Sequence, residues 1–184
     1  MSCLHGRVGA VLADLRRDLE RYPRGGHGLL STLGLLSTPQ LQITLLHRLS
    51  HHLHVRGWLG CGALLGRLNF YLHKAAISPA SCIGGGLYLA SPVGLVFHGR
   101  AGTGLSLYTR SVCFAGGAIL LGELEGAPCL GDDVAISTHA AVQGAVAVGD
   151  RARVGFNVAL RTQAPADRLA ASRGMLARTR DDRS

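Results

Sequence analysis

At 184 residues the chain is long enough to bury a real core, as one large domain or two small ones. It is 47% hydrophobic with 26 Gly and only four Phe, and it contains no uninterrupted apolar run of about 18 residues, so no membrane span is expected. The net charge of +8 raises nucleic acid as a partner, but its placement argues against one: residues 1–74 carry nine Lys/Arg and three Asp/Glu, residues 75–166 carry five of each, and residues 167–184 carry five Arg and three Asp.

The first expected element is an amphipathic helix from Val8 to Leu19, with Val8, Val11, Leu12, Leu15 and Leu19 on one face. Pro23 and Gly25-Gly26 end it, and Gly28 to Leu36 reads as a short apolar helix. Thr38-Pro39 opens a second long helix, expected to run to about Arg56, close at Gly57 and pack through Leu41, Leu45, Leu49 and Leu53. A further helix from about Trp58 to Leu72 offers Leu64, Leu65, Leu68 and Leu72. His47, His51 and His54 fall on one helix face; no carboxylate or Cys lies nearby to complete a metal set, so the reading is a packed polar face and no metal.

From Ile77 to Ala164 an aliphatic or small residue returns every sixth position. Ile77, Ile83, Leu89, Leu95, Ala101, Leu107 and Cys113 are followed, after a break, by Leu130, Ile136, Val142, Val148, Val154 and Leu160. Six suits a solenoid of very short parallel strands, three per triangular coil, with the lead residue pointing inward and small residues at the corners. The expected organisation is a helical part over 1–74, a parallel β-helix over 75–166 with a protruding loop at about 116–129, and a polar tail over 167–184 that is partly helical or disordered. The beginning of the chain lacks a signal peptide's apolar stretch. Five cysteines, odd in number and without metal-type spacing, read as reduced thiols of a cytoplasmic protein, with Cys113 buried on the lead phase.

Helices followed by hexapeptide coils with one protruding loop resemble the serine acetyltransferase family, a branch of the left-handed β-helix acyltransferases. Arg48-Leu49-Ser50-His51-His52-Leu53 is similar to that family's R-x-A-H-x-L, and Ile77-Ser78-Pro79-Ala80 before Ile83-Gly84 to its I-H-P-x-A-x-I-G. Gly116-Gly117 matches the Gly-Gly that opens the family's loop, and Pro128 the Pro that closes it. The resemblance implies a mainly β, left-handed parallel β-helix with an α-helical N-terminal part. It also implies acetyl-CoA or another acyl-CoA as donor, a small-molecule acceptor, a homotrimer or dimer of trimers, and a pathway-enzyme partner. From charge placement and hydropathy, neither nucleic acid nor membrane is expected as a partner.

Residue by residue, the resemblance has an unexpected consequence. The family's general base, its neighbouring acid, the orienting aspartate and the loop histidine fall on Ser91, Ala90, Ala76 and Ala127. A hydroxyl at neutral pH is a poor nucleophile until a base takes its proton, so standard serine O-acetylation is not expected. His139, and Ser91 itself, are the remaining candidate catalytic residues. Gly116, Gly117, Thr138, Phe156 and Asn157 are the candidate donor-binding residues, with the Phe156 ring able to obstruct the groove. His98, the other histidine of the coils, is expected exposed at a corner. The expected activity is acyl transfer to an acceptor other than serine; the alternative is a catalytically silent homologue serving in binding or assembly.

Overall fold

The computed structural model describes residues 8–22, 34, 37–115, 124–170 and 176–178. The expected short helix at Gly28 to Leu36 lies almost wholly outside these residues. Three longer helices precede the coils: Val8–Glu20 (α1), Pro39–Val55 (α2) and Leu59–His73 (α3). Pro39 stands at the start of α2 and Gly57 follows its end with φ +84, so both boundary signals act as expected. None of the helices is long and apolar enough to cross a membrane.

The buried faces of α2 and α3 differ from the leucine stripes that helical periodicity suggests. In α2 the buried residues include Leu41 and Ile43 but also Thr44, His47, Arg48, Ser50 and His51, while Leu49 is 50% exposed. In α3 the buried residues are Gly62, Ala63, Gly66 and Asn69, and Leu64, Leu68 and Leu72 face outward. Close approach is the reason. A Cβ on Gly62 would stand 3.0 Å from the Ser50 carbonyl oxygen, and one on Gly66 would stand 3.0 Å from Pro79 Cγ. Small residues let the helix axes approach, and the polar groups on that face bond the partner backbone. Ser50 Oγ donates to Gly62 O at 2.8 Å, Asn69 Nδ2 to Ile43 O at 3.1 Å, and His51 Nδ1 to Pro79 O at 2.8 Å. The histidine face is thus part of the packing, and no group of three potential metal ligands gathers among the described residues.

The coils form three parallel sheets. The first holds Ala76–Ile77 (β1), Val96–Phe97 (β4), Val112–Phe114 (β7), Ala141–Gln143 (β10) and Ala159–Leu160 (β13), in that order. The second holds Cys82–Ile83 (β2), Arg100–Ala101 (β5), Cys129–Leu130 (β8) and Ala147–Val148 (β11). The third begins with Tyr88–Leu89 (β3), Ser106–Leu107 (β6), Ala135–Ile136 (β9) and Arg153–Val154 (β12). Lead residues from all three sheets meet inside: Ile77, Ile83, Leu89, Leu107, Leu130, Ile136 and Val154 are at most 1% exposed. At one lead position the register differs from the six-residue count. Phe97, not Leu95, pairs with Ile77 and Cys113, and it is fully buried. The corner after β3 is therefore two residues longer than the others and the next corner two shorter, which preserves the coil length.

The described residues of the polar tail are not helical. Arg168–Ala170 (β14) adds to β12 in parallel, and Leu176–Arg178 (β15) folds back antiparallel on β14. The open edge of β12 offers unpaired backbone groups, and pairing them outweighs the polar composition of the segment.

Helix α1 is fastened to the first coils by buried charge. Asp18 receives Arg48 through two nitrogens, each at 3.0 Å, and accepts the Gly86 and Leu87 amides at 2.8 and 2.7 Å. Arg48 also donates to Ile83 O, and to Gly84 O at 2.8 Å. One ion pair thus joins α1, α2 and the corner after β2. Burial pushes the Asp18 carboxyl above its ordinary pKa of 3.8, against the opposing pull of Arg48 and the two amides. Beyond Asp18, the end of α1 lies over the outer face of the third sheet: Arg21 donates to Gly104 O at 2.6 Å and to Ser106 Oγ at 2.9 Å, and Leu89 N donates to Tyr22 Oη at 2.9 Å.

Cys82 is disulfide-bonded, which corrects the expectation of uniformly reduced thiols; Cys61, Cys113 and Cys129 are free. Cys113 is buried, as its lead-phase position requires, and burial pushes its thiol pKa up. Cys61 is exposed. Alkylation followed by mass spectrometry is expected to modify Cys61 in the native protein and Cys113 only once denaturant unfolds the coils. Modification of both at equal rates under native conditions would contradict this packing.

Candidate functional site

The corner joining the third sheet to the first repeats in consecutive coils, so its residues stack in columns. After β3 comes the longer corner Ala90 to Gly94, whose Val93 and Gly94 lie level with Thr109 and Arg110; after β6 come Tyr108, Thr109 and Arg110; after β9, Ser137, Thr138 and His139; after β12, Gly155, Phe156 and Asn157. Arg110, His139 and Asn157, each three past a lead residue, hold the left-handed backbone at φ +54, +59 and +57. This conformation carries their side chains outward at the same edge, at a backbone cost for Arg and His that Asn largely avoids.

His139 is exposed, and its Nε2 accepts from Arg110 Nη1 at 3.4 Å. A guanidinium can only donate, so this contact places the proton of a neutral imidazole on Nδ1. Among the described residues no carboxylate bonds His139. Ser91 is half-buried in the lengthened corner after β3, two strands from the His139 corner through β6, whereas the column of Thr138 and Thr109 continues at Val93, whose carbonyl accepts the Arg110 amide at 3.2 Å. Two strand spacings are about 10 Å, too far for His139 to take the Ser91 proton directly. The lengthened corner after β3 leaves Val93 51% exposed on this column, and Gly94, at φ +73, would bring a Cβ within 2.9 Å of Arg110 Cγ.

The donor-site candidates divide. Thr138 is half-buried, Asn157 is exposed and Phe156 is 68% exposed, all on this corner. Gly116 and Gly117 lie outside the described residues. His98 is not the exposed corner residue that the repeat suggested. It is 3% exposed, because the shortened corner between Phe97 and Ala101 leaves it no room to turn outward, and its backbone amide is held by Cys113 O at 2.7 Å. Ala76 and Ala127 are each 8% exposed, so methyl groups are packed where the family's acid and loop histidine were expected. Sequence reasoning missed Arg110, although the register that selected His139 points to it: each lies three residues past its lead, in neighbouring coils.

Next to this corner, the outer face of the third sheet carries a trough of about 520 Å³, lined by Tyr108, Ser137, Arg153, Gly155, Phe156 and Leu169 among others. It begins where the cover provided by α1 ends.

No family model matches the chain. The serine acetyltransferase of Helicobacter pylori strain J99 is 30% identical over 133 residues, covering 71% of this chain and 76% of that protein. The chain belongs to the serine acetyltransferase family. A second serine acetyltransferase, from Synechococcus elongatus, is 28% identical over 158 residues, or 85% of this chain and 63% of that protein. Among solved structures, the Neisseria gonorrhoeae serine acetyltransferase matches with a TM-score of 0.79 at 21% identity, covering 92% of this chain and 66% of that one. Soybean serine acetyltransferase complexed with serine matches at 0.75 and 23%, covering 92% and 68%. An Entamoeba histolytica serine acetyltransferase, solved with cysteine, matches at 0.73 with only 57% of its length covered. The chain therefore spans about three-fifths to three-quarters of these serine acetyltransferases. The three-sheet prism is the left-handed parallel β-helix of that fold.

Proposed function

We propose that this member of the serine acetyltransferase family moves an acyl group from a CoA thioester to a small hydroxyl or amine acceptor other than serine, with His139 as proton acceptor. The observation that carries this reading is the His139–Arg110 pair, an imidazole nitrogen and a guanidinium meeting at 3.4 Å on the exposed corner column. A bound CoA thioester supplies the activated acyl group. His139 Nε2 takes the proton of the acceptor, which displaces Arg110 from that nitrogen, and Arg110 then faces the negative charge that develops on the acyl oxygen. Ser91 is not the acylated group in this reading, because among the described residues no base lies within reach of its hydroxyl. Thr138 and Asn157 flank the corner where the donor arm would pass.

The proposal is tested by following CoA thiol release from acetyl-CoA and longer acyl-CoA, with serine and with a panel of hydroxyl and amine acceptors. Release with an acceptor other than serine is the expected result. A second reading, a silent homologue acting in binding or assembly, is favoured by the methyl groups at Ala76, Ala90 and Ala127. Absence of both thiol release and calorimetric CoA binding would select it.

The outward face of α3 supports self-association. Leu64, Leu68, Tyr71 and Leu72 are 43–70% exposed there, with Arg67 the one charged residue in the helix apart from His73. A helix apolar on its outer side is ordinarily covered, and such a face can meet its own copy about a two-fold axis with Arg67 at the rim. Sedimentation of the Leu64→Glu, Leu68→Glu double variant is expected to show a smaller species than the parent chain; unchanged mass would remove this face from the assembly.

A further inference from the structure

The trough on the third sheet differs in kind from the corner column beside it. Its outer positions over β3 and β6, Tyr88 and Ser106, are occupied by the end of α1, with Arg21 over the Tyr88 ring at 5.7 Å and bonded to Ser106. From β9 to β14 the face is open. The phenol of Tyr108 (37% exposed) and the ring of Phe156 (68% exposed) stand along it, and Leu169 closes the far side. From β6 to β14 is three strand spacings, about 14 Å, the length of a substituted aromatic ring with a short side chain. A cavity of about 520 Å³ is within the range of small-molecule sites, which combine apolar walls with a few polar groups.

The polar group here is Arg153. Several arginines near the coils are held by partners: Arg48 by Asp18, Arg151 by Asp167 through two bonds of 2.6 and 2.8 Å, and Arg161 by Gln143 at 3.1 Å. Among the described residues Arg153 has no carboxylate against it, and it opens into the aromatic-walled trough. A planar guanidinium beside two exposed rings is complementary to a planar apolar body bearing a carboxylate.

We infer that this trough binds an aromatic carboxylate, its ring between Tyr108 and Phe156 and its carboxylate on Arg153, and that this molecule is the acceptor of the acyl transfer. The assignment of the role rests on the acyl-transfer reading; the binding does not. A hydroxyl or amine on the ring edge nearest Ser137 points toward His139, two residues further along the same corner.

The test is calorimetry on the full chain with 4-hydroxyphenylacetate, using phenol, acetate and serine as controls, repeated on Arg153→Gln and Phe156→Ala. Both side chains are exposed, so neither change is expected to unfold the protein, and circular dichroism checks this. Expected are saturable binding of 4-hydroxyphenylacetate alone, a loss of about tenfold or more in Arg153→Gln, and a several-fold loss in Phe156→Ala. No binding at millimolar ligand, equal binding of phenol, or indifference to both variants overturns the inference. So does CoA binding that depends on the same two side chains, which would assign the trough to the nucleotide of the donor. Aromatic binding that persists in a chain whose thiol release ignores His139 would refute the base assignment and leave the trough standing. Failed binding with His139-dependent release would refute only the trough.

Discussion

Replacing Asp18 by Ala is expected to destabilise the fold by about 3–5 kcal/mol, measured as a shift in the urea midpoint at constant slope. The size follows from what remains. Arg48 is 3% exposed, and without Asp18 its guanidinium keeps two backbone carbonyls and the longer pair with Asp14 Oδ2 at 3.9 Å but loses its close two-point partner. The Gly86 and Leu87 amides lose their acceptor at the same time. Total stabilities of domains are about 5–15 kcal/mol, so this one pair decides whether α1 stays on the coils. Removing both charges, as Asp18→Leu with Arg48→Met, is expected to cost less than Asp18→Ala alone, because no uncompensated charge is left buried. A double variant that loses the sum of the two single effects would show that the pair is not coupled.

The pH dependence of the same pair has a definite sign. Burial holds the Asp18 pKa above 3.8, so the folded chain binds this proton more tightly than the unfolded chain does. Its titration therefore contributes stability in full below about 3.8, and that contribution is lost as pH rises through the folded-state value. Asp18→Asn, which cannot titrate, is expected to remove this component from the acid limb of the stability profile.

His139→Asn is expected to lower thiol release by about 10²- to 10⁴-fold, the range for losing a general base, while leaving CoA and acceptor binding in place. Asparagine is the informative substitution because position 139 needs φ +59, which Asn adopts readily and Ala does not. The molecule contains its own control: Asn157 occupies the equivalent corner one coil further on, at φ +57. Loss of activity in His139→Asn with an unchanged melting temperature would locate the effect in the imidazole. An unchanged rate would remove His139 from the chemistry.

The two predictions draw on different parts of the chain, and these were unequally legible. The six-residue period carried the coils almost entirely, because an inward residue in a prism of two-residue strands has one environment in every coil and so recurs as one residue type. Even there, a shift of two residues within one coil, from Leu95 to Phe97, left no periodic trace, since the coil length is conserved. The helical part was legible in its boundaries, where Pro39 and Gly57 act locally, and misleading in its faces. Helical periodicity finds the side rich in Leu, but α3 approaches α2 through Gly62 and the first coil through Gly66 against Pro79, and only the neighbouring segments reveal that need.

The sequence by itself therefore determined the solenoid and the helix limits, and it places Ala76, Ala90, Ser91 and Ala127 where the resemblance implies ionisable groups. Each of these depends on residue identity in a fixed register. The tertiary structure alone decided that Asp18 and Arg48, thirty residues apart, share one buried cage, that Arg110 reaches His139, and that Arg153 opens into an aromatic trough. Those relations run between coils and between helices, where distance along the chain says nothing about distance in space.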